Sequence, residues 1–584
     1  MGKPVEKPKD SKKALSRLIV YFKPDLKYVI FLSLAVVLAV IASVIAPSLQ
    51  SSAIDDVVKG SYGEIKRTLG LMLLIYIIHG AATLLQGFLS ARLSQRVIYR
   101  LRGELFSKVI SLPIPYLDSH SFGDIMSRMT NDAENVSNVI SSSLSSLFSG
   151  VLMLIGTIIM MMSYSVPLTL LTCVTVVLSV VVTNVLTKLM RKYYLRRQEL
   201  LGKLNGIVEE KVSAGKTVTA YNLQTNVIRE FNAASDEMTK TGIIADVIGN
   251  AMGPMMNMLN NLSFVIVAAF GAWFALKGMI SVGVISAFII YSKQFTRPIN
   301  ELAQLYGQIQ TALAGAERIF ELLDAQSEDK SGDVKLSVTD GVIEFKHVNF
   351  SYVPGKQVIY DFNLKVEAGK KIALVGSTGS GKTTVVNLLM RFYPLDSGSI
   401  TVDGMDIKDI SCDSLRDAVG IVLQDTVLFT DTVRNNLKYA DKTISDKKMI
   451  EAAESSNCDK VVAALPDGYD TVLTGAGANL SQGQRQLLTI GRAFLSYPNI
   501  LILDEATSSV DTRTEQHIQN AMVELMRNRT SLIIAHRLST IRDADQIVVM
   551  EQGHIIETGT HEELLAKGGA YHQLYMTQFE GSAT

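Results

Sequence analysis

The run Gly376-Ser377-Thr378-Gly379-Ser380-Gly381-Lys382-Thr383-Thr384 has the residue types that hold a polyphosphate. Its glycines let backbone N–H groups close around phosphate oxygens, Lys382 reaches the terminal phosphates, and the Thr383 hydroxyl suits a magnesium ion. The loop follows the apolar run Ile372-Ala373-Leu374-Val375 and precedes the helical pattern Val385-Val386-Asn387-Leu388-Leu389. A strand must therefore deliver it and a helix must leave it, and the N-terminal dipole of that helix adds to the positive field. Without those flanks the same glycines would be an ordinary turn.

A second chemical element is Ile500-Leu501-Ile502-Leu503-Asp504-Glu505, an apolar strand ending in two carboxylates. Asp504 suits magnesium, directly or through water, and Glu505 is placed to polarise a water for attack on the terminal phosphate. Between the two lies Asn479-Leu480-Ser481-Gln482-Gly483-Gln484-Arg485-Gln486, which opens a helical run from Leu487 to Leu495. Ser481 and Gln484 have the spacing of a capping box, so a plain helix start also explains that segment.

These elements occupy only part of the chain. With 584 residues, 48% hydrophobic and 19% charged, the sequence is too apolar for one soluble domain and reads as part membrane, part globular. Lys plus Arg and Asp plus Glu both number 56, so the basic excess of a nucleic-acid binder is missing, and no nucleic-acid partner is expected. Cys173, Cys412 and Cys458 are widely spaced, form no metal-ligand pattern and read as packing residues in a reducing compartment. Residues 1–27 carry Lys3, Lys7, Lys9, Lys12, Lys13, Arg17, Lys23 and Lys27 against three acids, so this end is expected to face the cytoplasm. Leu15, Leu18, Ile19 and Phe22 among those cations predict an interfacial helix on anionic headgroups. The first apolar stretch lacks a small-residue cleavage site and is expected to be a retained helix.

Six stretches are long enough to cross a bilayer, at about 28–49, 69–91, 139–162, 167–187, 254–276 and 282–304. The long segments after the second and fourth are rich in Arg and Lys, whereas 163–166 and 277–281 carry almost no charge, so the long segments are expected in the cytoplasm. Each has a break near its middle, at Pro113-Ile114-Pro115 and at Ser213-Ala214-Gly215-Lys216, suited to a short transverse element. Within the spans, Met153, Met160, Met161, Met162, Met252, Met255, Met256 and Met258 are polarisable and either pack or meet cargo. Asn257, Asn260 and Asn261 give a polar stripe, while Lys293, Arg297 and Glu301 share a helix face as cargo-pathway or ion-pair residues. The expected domains are a six-helix transmembrane domain at 1–322, a linker at 323–340 and an α/β domain at 341–584.

At Leu480-Ser481-Gln482-Gly483-Gln484 the sequence resembles the Leu-Ser-Gly-Gly-Gln signature of ATP-binding cassette proteins, and other family landmarks follow in the expected order. They are Tyr352 as adenine-stacking aromatic, Gln424 as loop glutamine, Ser508-Ser509-Val510-Asp511 as D-loop and His536 as switch histidine. With six apolar stretches before them, nearly the whole chain is similar to a bacterial exporter half-transporter of the multidrug or lipid type. The resemblance implies a membrane α-helical domain, with long cytoplasmic extensions, fused to an α/β P-loop cassette. It implies ATP and Mg2+ as cofactors, with Glu505, His536 and Gln424 catalytic and Thr383, Gln424 and Asp504 around the metal. Nucleotide would be held by Tyr352, by Gly376 through Thr384, and by Ser481, Gly483, Gln484 and Asp511. Because the signature of one cassette faces the phosphate loop of another in this family, it also implies a second half-transporter chain, the same or different. Amphiphilic cargo, membrane lipids as surroundings and a bacterial cytoplasmic membrane, with N-terminus and cassette in the cytoplasm, complete the expectation.

Departures from the family pattern are Gln482 in the signature, Ser509-Val510 in the D-loop, and Thr474-Gly475-Ala476-Gly477 where exporters commonly carry Gly-Glu-Arg-Gly. The last resembles the competent halves of asymmetric exporters. Among rivals, a soluble cassette ATPase would lack the apolar half, and an importer would normally keep its membrane domain on another chain. A channel or receptor regulated by a cassette could lose the catalytic base, yet Glu505 and His536 are present. A bacteriocin exporter would need a protease domain before residue 28, where no room is expected. A lipid flippase remains an alternative to a drug or peptide exporter.

Overall fold

The computed structural model describes residues 10–336, 340–424, 426–475, 477–504, 512–535 and 538–577. The chain forms two compact units, Met1–Ser111 with His120–Ala325, and Leu112–Ser119 with Gln326–Thr584.

The first unit is helical. A short helix α1 (Ser11–Val20) precedes two long ones, α2 (Leu26–Val58) and α3 (Tyr62–Ile110). After the Pro113 break come α4 (Ile114–Ser119), which folds with the second unit, and α5 (Phe122–Ser127), restarted by Ser121, whose side chain accepts from the Asp124 N–H. A π turn, α6 (Ala133–Asn138), a second π turn and α7 (Leu144–Tyr164) form one further rod. The remaining helices are α8 (Val166–Ser213), α9 (Gly215–Ala220) at the second break, α10 (Gln224–Leu276) and α11 (Val282–Asp324). At 48 and 53 residues, α8 and α10 are more than twice the length a bilayer needs, so helix does continue past the apolar stretch.

Among the described residues five helical segments are long and apolar enough to cross a membrane: Lys23–Val58, Tyr62–Ile110, Phe122–Tyr164, Val166–Ser213 and Gln224–Leu276. The sixth expected stretch lies at the start of the continuous helix α11, where Val282–Phe295 is apolar among the described residues.

Helix pairing in this unit uses small and hydroxyl side chains, as apolar surroundings favour close approach and interhelical hydrogen bonds. Ala35, Val36, Ala39 and Val40 of α2 are buried. Thr175, Ser263 and Ser292 link α8, α10 and α11 through Oγ contacts of 3.0 and 2.7 Å. The Tyr291 hydroxyl donates to Val44 O at 2.8 Å, tying α11 to α2.

The N-terminal helix departs from a purely interfacial one. Ala14 and Leu18 form a stripe buried within the protein, while the adjacent stripe, Leu15 and Ile19, stays exposed. Arg17 pairs with Asp324 at 2.5 Å and lies over the Phe320 ring, so α1 is docked on the end of α11. An amphipathic pattern requires an apolar partner, and here protein supplies part of it.

The second unit carries two sheets. A four-stranded antiparallel sheet runs β2 (Lys356–Val366), β1 (Ile343–Val353), β4 (Ser397–Val402), β5 (Met405–Asp406). On β1, Ile343, Phe345, Val348 and Phe350 are buried, with the alternation of a strand covered on one face broken by bulges. The other sheet has the order β10 (His554–Gly559), β9 (Gln546–Glu551), β3 (Lys371–Val375), β8 (Thr530–Ile534), β7 (Ile500–Asp504), β6 (Val419–Val422). Strands β9, β3, β8, β7 and β6 pair in parallel and β10 closes the edge antiparallel. Residues 500–503 are fully buried, as expected of a parallel strand covered on both faces. Part of the expected linker is fixed to this unit: Glu328 pairs with Arg416 at 2.6 Å, and Val334 bridges Ile410.

Candidate functional site

Parallel pairing of β3, β8, β7 and β6 brings their C-terminal ends to one edge of the sheet, where α/β folds place ligands. From that edge β3 releases the 376–384 loop, β7 ends at Asp504, and β6 leads into Gln424, whose side chain is exposed. Residues more than a hundred positions apart thus converge because the strands carrying them are neighbours in one ladder.

The loop is shaped by close backbone approach. Gly376 adopts φ +155° and a Cβ there would stand 2.2 Å from Met550 O, while one on Gly381, at φ +103°, would meet Ile359 Cδ1 at 2.7 Å. At Gly376 a side chain would have to displace the backbone of β9, and at Gly381 the positive φ itself favours glycine. Gly553 N–H donates to Ser380 O at 3.1 Å, so the β9–β10 turn braces the loop from behind. Helix α12 (Lys382–Leu389) starts directly on Gly381.

Lys382 is 6% exposed. Its ammonium donates to Gly376 O at 2.8 Å and Ser377 O at 2.9 Å, inside the curve of the loop. Burial pushes its pKa below the ordinary lysine value, and the Asp504 carboxylate pulls it back. A buried, part-compensated cation inside a glycine-rich loop at a helix N-terminus suits an anion of high charge. The metal expectation fits the donor set: Thr383 hydroxyl, Asp504 carboxylate and Gln424 amide offer hard oxygens, and Thr383 is exposed.

Tyr352, at the end of β1, is 43% exposed and presents a ring to the same loop. Its hydroxyl donates to Thr384 Oγ1 at 3.1 Å. Ring edges of Phe350 and Tyr393 hold it at centroid distances of 4.8 and 4.9 Å. Tyr393 in turn donates to the Asp118 carboxylate of α4, and Ile114 of the same helix packs on the apolar cluster that includes Phe350 and Tyr393. Burial and the adjoining carboxylate both raise the Tyr393 pKa. Sequence reading had no access to this Asp118–Tyr393–Tyr352–Thr384 relay, since its first link joins residues 275 apart. The Pro113 break was the only local signal that something transverse stood there.

Ser481 caps helix α13 (Gln482–Ser496) with a full capping box: its Oγ accepts from Gln484 N at 3.3 Å and its N–H donates to Gln484 Oε1 at 2.9 Å. Gly483 is buried in the first turn. Among the described residues no hydrogen bond joins Ser481, Gly483 or Gln484 to the 376–384 loop of the same chain. Glu505, Asp511 and His536 lie outside the described residues. Of the residues in the spans, Met161 and Met256 are buried, whereas Asn257, Asn261 and Lys293 are exposed on this single chain.

A family model described as ABC transporter transmembrane region matches residues 29–299, and one described as ABC transporter matches residues 359–508. The chain is 43% identical over 577 residues to an uncharacterized ABC transporter ATP-binding protein, YfiC, of Bacillus subtilis, covering 98% of this chain and 96% of that protein. It is 42% identical over 513 residues to a fatty acid ABC transporter ATP-binding/permease protein of Mycobacterium bovis, covering 88% and 81%. It is 34% identical over 552 residues to an ATP-dependent lipid A-core flippase of Syntrophus aciditrophicus, covering 93% and 92%.

Proposed function

The chain belongs to the ABC transporter family, with transmembrane and ATP-binding regions in one polypeptide, and on that premise we propose that it is one half of a two-chain exporter that moves lipophilic amphiphiles outward. The observation that carries the reading is the convergence of the 376–384 loop, Asp504 and Gln424 on one sheet edge, in a chain whose other half is built of bilayer-length helices. ATP hydrolysis is the reaction and transport is what it drives.

Lys382 and the loop N–H groups bind and orient the polyphosphate, and Tyr352 stacks on the base. Thr383, Asp504 and Gln424 hold the magnesium ion, which when bound neutralises phosphate charge. Glu505 positions and deprotonates the attacking water, and His536 contacts the terminal phosphate. Ser481, Gly483, Gln484 and Asp511 complete the pocket of the other chain, with the N-terminus of α13 offering its dipole to a phosphate there. Closure of two cassettes around ATP then draws on α4 and α9 to turn the membrane cavity outward.

A lipophilic cargo is supported by the Met-rich apolar spans and by relatives named for fatty acid and lipid A-core. Non-directional contacts would dominate, with Asn257, Asn261, Lys293 and Arg297 orienting the polar end. The cationic N-terminal segment supports a cytoplasmic position for that end and for the cassette, and the bacterial relatives support a bacterial cytoplasmic membrane around the helices. The second chain is either another copy of this one or an unlike half-transporter, and the Thr474-Gly475-Ala476-Gly477 variant is the feature that speaks for the unlike partner.

The test is Glu505→Gln in the reconstituted assembly. It is expected to bind ATP and lose most turnover, by at least about 100-fold as removal of a general base implies. Wild-type ATPase should shift with fatty acids, lipids or amphiphilic dyes. Near-normal steady-state hydrolysis by Glu505→Gln would remove Glu505 as base; a response to a sugar or inorganic ion, with none to amphiphiles, would remove the cargo class.

A further inference from the structure

Lys27 is the last cation before the first apolar stretch, and Arg92 is the first after the second stretch. Antiparallel packing of α2 on α3 brings both to the same end of the helix pair. There they gather around one ring: Lys27 Nζ lies 5.4 Å, Arg92 Cζ 5.6 Å and Arg96 Cζ 4.9 Å from the Tyr28 centroid. Arg92 Cζ is also 5.9 Å from the Phe88 ring.

The charge of this cluster is not balanced. The carboxylate beside it, Asp25, is 1% exposed and already holds two guanidinium groups, Arg96 at 3.0 Å and Arg100 at 2.7 Å. Among the described residues neither Lys27 nor Arg92 has a carboxylate within ion-pair distance, and both are exposed. The face of Tyr28 gives these cations a shared cation–π contact but no counter-charge. Next to them Ile30, Phe31, Leu84 and Phe88 are exposed, a surface suited to hydrocarbon. An anion with an apolar tail satisfies both halves.

We propose that Lys27 and Arg92, arranged around Tyr28, form a binding site for the phosphate of an anionic phospholipid in the cytoplasmic leaflet. Asp25, with Arg96 and Arg100, is the framework that fixes the site, and Lys27 and Arg92 are the groups that touch the ligand. Arg92 offers a planar fork to the phosphate oxygens, and Lys27 adds a point charge from the neighbouring helix. The acyl chains lie along the exposed apolar residues of α2 and α3. The site rests on the membrane orientation proposed above and is independent of cargo and of hydrolysis.

Native mass spectrometry of the full-length chain tests it, with the protein in detergent, without nucleotide, supplemented with phosphatidylglycerol or with phosphatidylcholine. Wild type is expected to retain phosphatidylglycerol in preference to phosphatidylcholine. Lys27→Gln with Arg92→Gln should bind phosphatidylglycerol roughly 30-fold more weakly, the loss of two headgroup cations. Lys12→Gln with Lys13→Gln removes the same charge from the same end of the chain and should leave retention unchanged, and Lys27→Arg with Arg92→Lys should preserve it. Should the double glutamine variant fail to fold, Arg92→Gln alone is read the same way, with a smaller loss. Equal retention by wild type and the Lys27/Arg92 variants overturns the site. So does an equal loss in the Lys12/Lys13 control, which would reduce the effect to general surface attraction. Displacement by inorganic phosphate as effective as by phosphatidylglycerol would make it a soluble-anion site and overturn the lipid assignment. ATPase plays no part in these readouts, so failure of the exporter reading would show separately.

Discussion

Lys382 illustrates how one side chain can be costly to the fold and necessary to the site. Its pKa is held below the ordinary 10.5, with burial the largest cause. The unfolded chain then binds more protons than the folded one between the folded value and 10.5, so this group's contribution makes stability rise with pH across that window. Lys382→Met should remove that rise, visible as a loss of the alkaline gain in urea midpoint relative to wild type, while ATP turnover falls to background. A variant that kept turnover, or kept the alkaline gain, would contradict the role given to the buried ammonium. Gly376→Ala acts on the same loop by shape alone. With a Cβ 2.2 Å from Met550 O and a φ that other residues rarely adopt, it should destabilise the cassette by about 2 kcal/mol or more and weaken nucleotide binding. A thermal midpoint equal to wild type would show that β9 yields to the methyl group.

At the scale of elements, the short helix α4 matters more than its six residues suggest. It folds with the cassette, and its Asp118 reaches the phosphate loop through Tyr393, Tyr352 and Thr384. The raised pKa of Tyr393 keeps its hydroxyl a proton donor throughout the physiological range. Tyr393→Phe retains the ring that supports Tyr352 and removes only the bond to Asp118. Basal ATPase should therefore change by less than about threefold, the scale of one hydrogen bond at the low end of its range, while amphiphile stimulation is lost. Stimulation at the wild-type level would show that α4 communicates by another contact. The signature turn needs no such relay. Ser481 and Gln484 complete their capping box within four residues, and Gln482–Ser496 is helical as its sequence pattern requires.

For the whole molecule, half-transporter architecture requires two chains. On the reading proposed above, the Ser481 turn completes the nucleotide pocket of a second cassette. The active species in detergent should hold two cassettes, and light scattering with mass spectrometry should find two chains wherever ATP is turned over. A lone 63.8 kDa chain hydrolysing ATP would overturn the shared pocket. A homogeneous active dimer of this chain alone would identify the second chain as another copy of it.

Much of the site was legible in the sequence because its parts are local. A phosphate loop needs glycines and a lysine at fixed offsets between one strand and one helix, and a buried parallel strand needs an unbroken apolar run before its carboxylate. Bilayer-length helices announce themselves by hydropathy for a similar reason, since lipid imposes one requirement on every residue of the span. Tertiary structure decided what each surface faces. The amphipathic pattern of α1 established that an apolar face must be covered, but periodicity is the same for lipid and protein, and Asp324 and Phe320, three hundred residues away, determine that α11 covers part of it. The order β3-β8-β7-β6 placed Lys382 and Asp504 together, and the Asp118–Tyr393 bond tied α4 to the nucleotide loop. Those are long-range pairings, chosen by the packing of the whole sheet and core rather than by any residue's neighbours in the chain.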